Sequence, residues 1–140
     1  MSRITYSSSE PHQWEIVDNV MVTVTRTQGD KIPLESWDPF IEALQSQKIK
    51  RLFALVIGAA TIDATQRKTA ADTFRGHGIT TAVVSDHRMT RGVLTALSWL
   101  GADVKPFPWS ELEAAVTHIS DSQTTSEALT KIAEQVQGLE

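Results

Sequence analysis

The chain has 140 residues and a mass of 15.4 kDa, of which 41% are hydrophobic and 21% are charged. This is ordinary globular composition, so it excludes a disordered or collagen-like chain and favours one domain with a proper core. Because there is no cysteine, thiolate catalysis, disulfide frameworks and iron-sulfur or zinc-cysteine sites are also excluded. A chain without cysteine is compatible with a reducing compartment, and we expect a cytoplasmic location.

The formal net charge of -4 is concentrated near the carboxyl terminus. Residues 1–110 carry 12 Lys and Arg against 11 Asp and Glu, whereas residues 111–140 carry 1 against 6. Duplex nucleic acid requires a clustered basic face, so no nucleic-acid partner is expected. The longest apolar run, residues 52–60, is too short to cross a bilayer, and residues 1–10 contain no apolar core of a secretory leader. We therefore expect neither a membrane span nor a targeting segment.

The first half of the chain predicts a hairpin, a helix and a buried strand. After a polar arm containing Ser7, Ser8 and Ser9, apolar and polar residues alternate on both sides of the turn pair Asp18 and Asn19, as in a β-hairpin. Pro39 fits the first turn of a helix, which predicts a helix start near Ser36 or Asp38 and an end within residues 48–51. The continuous apolar run at residues 52–57 predicts a central strand that ends at Gly58.

Helix and strand patterns then alternate to the end of the chain. Residues 63–75 predict a helix, 80–84 a strand, 86–100 a helix capped by Ser85 or Asp86, and 103–107 a last strand. Ser110 and Glu113 have the spacing of a capping box for the following helix. After a linker at residues 121–125, a stripe made of Leu129, Ile132, Ala133 and Val136 defines a further helix, which either packs on the body or contacts a partner.

This alternation predicts an α/β fold: a single domain with a mixed, mostly parallel sheet of about five strands, packed helices and an extra C-terminal helix. We assign residues 1–120 to the α/β domain, including its polar N-terminal arm, and residues 121–140 to a helical extension.

Polar side chains concentrate in the segments 58–66 and 85–91, which follow two neighbouring strands. Ligands of open α/β sheets bind beyond the carboxyl ends of the strands, where helix N-termini favour anions. These segments therefore predict a site for an anion or a protein partner. Its candidate residues are Asp63, Gln66, Arg67, Ser85, Asp86, Arg88 and Arg91. In the alternative interpretation, Asp63, Thr65, Ser85 and Asp86 are ordinary N-caps and the arginines are solvated.

Catalysis is a third interpretation of the same segments. His87 beside Asp86 has the composition of an oriented general base, with Ser85 or Thr90 as its nucleophile. Neighbouring residues at a helix start point away from one another, so we assign no catalytic residue. The histidines lack metal-ligand spacing and Gly58 lacks the further glycines of a nucleotide-binding loop, so we assign no metal and no cofactor. The four tryptophans are expected to pack in the core, Trp99 among them.

Two segments resemble a known family. They are TQRKTAADTF, beginning at Thr65, and TAVVSDHRMTRGVLTALSWLGADVKPFPWSELEAAV, beginning at Thr81. They are similar to the bacterial SpoIIAA-like proteins, a branch of the STAS-like α/β fold, and the resemblance spans roughly residues 14–119. It implies a regulatory, protein-binding role and no enzymatic activity.

Better-known STAS-like relatives are anti-sigma factor antagonists that a partner kinase phosphorylates on a serine or threonine at a helix start. Their acceptor motif, an aspartate followed by two serines and a glycine, is matched here only in part by the segment Asp63-Ala64-Thr65-Gln66. The resemblance implies Thr65 as the first candidate phospho-acceptor and Thr61 as the second.

From the resemblance and the charged loops together we expect a non-enzymatic, protein-binding switch. Its expected partner is a kinase or sigma-factor regulator, and it could form a homodimer. The alternative is a protein that binds a small anionic ligand or a lipid, as other STAS-like relatives do.

Overall fold

The computed structural model describes residues 10–47 and 49–138. The serines of the polar arm and Lys48, part of the predicted helix end, lie outside the described residues. The elements in chain order are β1 (His12–Val17), β2 (Val20–Lys31), α1 (Leu34–Ser46), β3 (Arg51–Thr61), α2 (Ala64–Gly76), β4 (Thr80–Val84), α3 (Arg88–Trp99), β5 (Asp103–Phe107), a short 3₁₀ helix (Trp109–Glu111), α4 (Leu112–Ile119) and α5 (Gln123–Gln137).

The five strands form one mixed sheet in the order β1-β2-β3-β4-β5. β1 is antiparallel to β2, and every other neighbouring pair is parallel. Asp18 and Asn19 both have positive φ, 49° and 69°, which is the backbone of the type I′ turn that matches the twist of a hairpin. The predicted α/β fold with a mostly parallel sheet of five strands is confirmed.

The helices cover both faces of the sheet. The crossovers β2-α1-β3, β3-α2-β4 and β4-α3-β5 all advance in one direction and parallel crossovers are right-handed, so α1, α2 and α3 fall on one face. Their core contains Phe40, Leu44, Phe74 and Leu97. No helix among the described residues is both long enough and apolar enough to cross a membrane.

α4 and α5 cover the opposite face. The stripe Leu129, Ile132, Ala133 and Val136 is buried there against the valines of β2 and Phe53 of β3. Of the two expectations for the last helix, packing on the body is therefore the one observed. The helix begins earlier than expected, because the Ser122 hydroxyl caps it by accepting a hydrogen bond from the Thr125 amide at 3.1 Å.

Three predicted boundaries on the first half of the chain are wrong. α1 ends at Ser46, before the predicted end within residues 48–51. β3 does not end at Gly58 but continues to Thr61: Gly58 pairs with Thr27 of β2 at a φ of 83°, which glycine adopts because it has no Cβ. α1 begins at Leu34, so Pro39 lies inside the helix rather than in its first turn. Since proline has no amide hydrogen, the helix forgoes one hydrogen bond at that point.

Three details of the second half also differ from the prediction. The N-cap of α3 is His87, not Ser85 or Asp86. Ser110 forms no capping box, because the 3₁₀ helix occupies its position and α4 begins only at Leu112. Trp99 is 83% exposed: it lies two residues beyond Leu97, and two residues rotate a helix by about 200°, away from the core face.

Candidate functional site

The two candidate segments are neighbours at the carboxyl edge of the sheet. β3 and β4 lie side by side and parallel, so the loops that follow them, and the starts of α2 and α3, meet at one edge. The Ala60 amide donates to the Thr90 hydroxyl at 3.1 Å, which fixes the first turn of α3 against the end of β3. The predicted convergence of polar groups is therefore present. What these groups can bind depends on which side chains have no hydrogen-bond partner within the protein.

The start of α2 uses its polar side chains internally. The Asp63 carboxylate accepts from the Gln66 amide at 2.8 Å, while the Gln66 side-chain oxygen accepts from the Asp63 amide at 2.9 Å. Gln66 is only 2% exposed, and its amide nitrogen also donates to the Ile32 carbonyl at 2.8 Å. Asp63 and Gln66 therefore form a reciprocal capping box that fixes α2 to the end of β2.

Two cations flank this capping box. The Lys31 ammonium pairs with Asp63 at 2.8 Å, and both side chains are substantially exposed. The Lys31 hydrogen bond, followed by the Gln66 amide, lowers the pKa of the Asp63 carboxyl below its ordinary value. The Arg67 guanidinium donates to the Ile62 carbonyl at 2.9 Å. The structure thus gives Arg67 an internal role.

The start of α3 is built in the same way. The His87 ring accepts from the Met89 amide at 3.1 Å through Nδ1, and the Ser85 hydroxyl accepts from the His87 amide at 3.2 Å. The Asp86 carboxylate accepts from the Trp109 amide at 2.8 Å, which ties this loop to the chain after β5. Ser85 is 1% exposed.

These contacts bear on the catalytic interpretation. Within the described residues, the side chains of Ser85 and His87 share no hydrogen bond. The His87 Nδ1 lone pair is already used as a helix cap. Thr90 is turned inward onto the backbone of β3. These hydrogen bonds stabilise the loop between β4 and α3. Among them is no contact between a base and a nucleophile, which activation of a hydroxyl requires.

Asp86 and His87 are exposed at this edge too, but their side chains accept the hydrogen bonds described above. Four further exposed residues have side chains without such a bond among the described residues, and we call them the carboxyl-edge surface: Thr65, Arg88, Met89 and Arg91. Met89 is 45% exposed. In the described part of the chain, the guanidinium groups of Arg88 and Arg91 form neither a hydrogen bond nor an ion pair. This surface is what the sequence-predicted site leaves available for a partner.

The two candidate phospho-acceptors differ in accessibility. Thr65 lies exposed in the first turn of α2 and lines a shallow groove between α1 and α2 together with Asp38 and Glu42. Thr61 is half-buried as the last residue of β3, and its carbonyl accepts from the Ile32 amide at 3.1 Å. Accessibility therefore places Thr65 ahead of Thr61.

Two structural contributors had no signal in the sequence. Lys31 reaches Asp63 only because β2 and β3 pair side by side, and the Trp109 amide meets Asp86 only because β5 returns beside β4. No group of three or more metal-ligating side chains occurs among the residues that the structure describes.

Comparison with known proteins adds one solved structure. No protein-family model and no curated protein matches the sequence. The NMR structure of the protein TM1081 is 16% identical, covers 81% of this chain and 92% of its own, and superposes with a TM-score of 0.48.

Proposed function

We propose that this chain is a non-enzymatic protein-interaction module of the SpoIIAA-like, STAS-like type, which binds a protein partner through the carboxyl-edge surface. The observation that supports the proposal is which side chains at this edge already have hydrogen-bond partners. The carboxylates of Asp63 and Asp86 and the ring of His87 accept hydrogen bonds from backbone amides. By contrast, two arginines whose guanidinium groups have no partner in the described part of the chain flank an exposed methionine.

Arginine and methionine are both enriched in protein interfaces, where the flexible thioether adapts to an apolar partner surface and the guanidinium binds carboxylates. An acidic segment with an apolar anchor is the partner that suits this combination. A kinase or sigma-factor regulator, as the family resemblance implies, would present such a segment to this edge.

Thr65 provides a means of regulation within this proposal. A phosphate on Thr65 adds about 1.5 to 2 negative charges at the start of α2, beside Asp63 and within a groove that Asp38 and Glu42 also line. The added charge competes with Asp63 for Lys31 and repels an acidic partner. Phosphorylation is therefore proposed to switch binding off.

A charge-reversal pair tests the surface. Tagged protein carrying Arg88→Glu with Arg91→Glu is compared with wild type and with a control carrying Lys50→Glu and Lys131→Glu, which changes the net charge equally at exposed positions outside the carboxyl-edge surface. Proteins captured from source cells are quantified by mass spectrometry, and phosphorylation of Thr65 is read in the same samples.

We expect a partner that the control variant still captures and that the arginine double variant does not. The dissociation constant of this partner for the purified arginine double variant should be at least tenfold higher than for wild type. Folding of each variant is verified by circular dichroism. A captured set that is identical for the two double variants overturns the surface assignment. A partner whose affinity is the same for Thr65→Glu and for wild type overturns the switch.

A further inference from the structure

Trp99, at the end of α3, is the most exposed large hydrophobic side chain among the described residues. It is 83% exposed, whereas the next four are 41% to 47% exposed: Ile16, Leu34, Met89 and Leu100. Within the described part of the chain the indole has neither a ring contact nor a cation above its face. Such an indole presents about 200 Å² of mostly apolar surface to water. Covering this surface with a partner would therefore be favourable.

Arg88 lies at the other end of the same helix face. It begins α3 and Trp99 ends it. At 100° and 1.5 Å per residue, the two side chains point within about 20° of each other and lie about 16 Å apart along the helix axis. Leu94 and Leu97 are buried on the opposite side of α3. Arg88 and Trp99 therefore both point away from the core, and the Arg88 guanidinium has no partner in the described part of the chain.

The outward positions between these two residues carry small side chains. Gly92 follows Arg88 by one helical turn, and Thr95 precedes Trp99 by one turn, so both lie within about 40° of the same direction. Both are exposed, and an added Cβ at Gly92 would meet nothing within 4 Å. The outward face of α3 is therefore low in the middle and bounded by a cation at one end and an aromatic ring at the other.

A face with this order of side chains is complementary to itself. When two copies of α3 pack antiparallel about a two-fold axis, Arg88 of each copy meets the partner's Trp99, and Gly92 meets the partner's Thr95. Arginine binds over aromatic faces, and tryptophan is the best aromatic acceptor of a cation. The symmetry forms this contact twice. Since α3 contains no Asp or Glu, no carboxylate on this helix competes with the indole for Arg88.

We propose that the outward face of α3 is an interface between two copies of this chain, in which Arg88 of each copy packs on the partner's Trp99. The two indoles together contribute about 400 Å², so the interface belongs to the small, transient class below about 1,200 Å². The dissociation constant is therefore expected on the order of 10 to 100 µM, and the chain is monomeric at low micromolar concentration. Arg88 also belongs to the carboxyl-edge surface, so a second copy and a protein partner compete for it.

Sedimentation equilibrium of the purified, untagged full chain tests the interface. Between about 5 and about 500 µM, the apparent mass should rise from 15.4 kDa toward that of a dimer. Trp99→Gln and Arg88→Gln should each raise the dissociation constant at least about tenfold, because each removes both symmetry-related contacts. The control Lys131→Gln removes one exposed positive charge from α5 on the opposite side of the sheet and should leave the constant unchanged. Circular dichroism verifies that each variant is folded.

An equimolar mixture of the Trp99→Gln and Arg88→Gln variants gives the decisive measurement. Neither variant alone can form the proposed contact, but a mixed dimer restores one of the two, because one copy still supplies Arg88 and the other still supplies Trp99. The mixture should therefore associate more strongly than either variant alone.

Three results would overturn the proposal. They are a wild-type chain that stays monomeric up to about 500 µM, association that continues beyond the dimer, and a mixture that associates no more strongly than its two components. Because only the purified chain is present, each of these results is independent of whether the carboxyl-edge surface binds another protein.

Discussion

Acidification from pH 7 to pH 5 is expected to destabilise the protein through His12. This ring is 5% exposed, packs edge-on against Phe40 with centroids 5.2 Å apart, and lies 3.1 Å from the Ser36 hydroxyl through Nδ1. Because the Ser36 hydroxyl donates to the Pro33 carbonyl at 3.2 Å, it is the neutral ring that donates to Ser36. Burial without a counter-charge lowers the pKa of His12 from 6.5 to about 4.

The size of the effect follows from proton linkage. Between pH 6.5 and pH 4 the unfolded chain binds a proton at His12 that the folded chain does not, so the free energy of unfolding rises with pH in this window. Each pKa unit corresponds to about 1.4 kcal/mol in the free energy of unfolding. The total loss of stability through His12 is therefore about 3 kcal/mol, and it is reached only below pH 4. At pH 5 the loss relative to pH 7 is about 2 kcal/mol.

The carboxyl groups with lowered pKa values do not contribute to the change in the free energy of unfolding between pH 7 and pH 5. Salt bridges lower the pKa of Asp63, Asp72 and Asp121 below 3.8. Their stabilising contributions are therefore lost at pH values below the His12 window. Urea unfolding followed by tryptophan fluorescence at pH 7 and pH 5 isolates the histidine.

The matched variant is His12→Asn, whose side-chain amide can donate to Ser36 but does not titrate. It forfeits the ring contact with Phe40, so its absolute stability is lower, and the decisive quantity is the change between the two pH values. Wild type should lose about 2 kcal/mol and the variant well under about 1 kcal/mol. An equal loss in both proteins would refute the assignment of this pH dependence to His12.

Two further predictions concern backbone geometry and the tryptophans. Gly58→Ala should destabilise the protein by at least about 2 kcal/mol, because the residue has a φ of 83° and an added Cβ would collide with the Thr27 carbonyl. Gly76→Ala, where an added Cβ meets nothing within 4 Å, should be neutral or slightly stabilising in the same thermal denaturation assay. Trp99→Gln should change the free energy of unfolding by no more than about 0.5 kcal/mol, because the side chain is 83% exposed. Trp109→Phe should cost about 1 to 3 kcal/mol, because it removes a buried 3.0 Å hydrogen bond from the indole to a carbonyl of β3; equal costs for the two tryptophan variants would contradict this contrast.

Elements with local signals could be predicted from the sequence. The strand at residues 80–84 and the strand at residues 103–107 have the predicted bounds, since each is a short run between a glycine-containing turn and a helix start. The Asp18-Asn19 turn was also predictable, because these residue types tolerate the positive φ of a type I′ turn. Gly58 misled the prediction, since a glycine inside a strand and a glycine that ends one look alike in sequence.

The position of the candidate site was predictable from the sequence, but the hydrogen-bond partners of its side chains were not. The topology rule placed the two loops together correctly, yet the assignment of caps depended on distant partners. Asp86 is held by the Trp109 amide, 23 residues away, so the adjacent His87 caps α3 instead. The cavity of about 90 Å³ between the sheet and α1, α2 and α3 had no sequence signal, because its volume is set by how side chains from all five strands and three helices fit together.

The packing of α5 bears on how the chain folds during synthesis. Arg26 on β2 donates to the Val136 carbonyl at 3.2 Å, and Thr125 donates to Asp18 in the hairpin turn at 3.3 Å, across 110 and 107 residues of chain. The ribosome therefore exposes all five strands before the helix that completes one side of the sheet has been made. Until then, the valines of β2 and Phe53 are incompletely covered, so a nascent chain stalled before residue 123 presents an apolar sheet face that a chaperone would recognise.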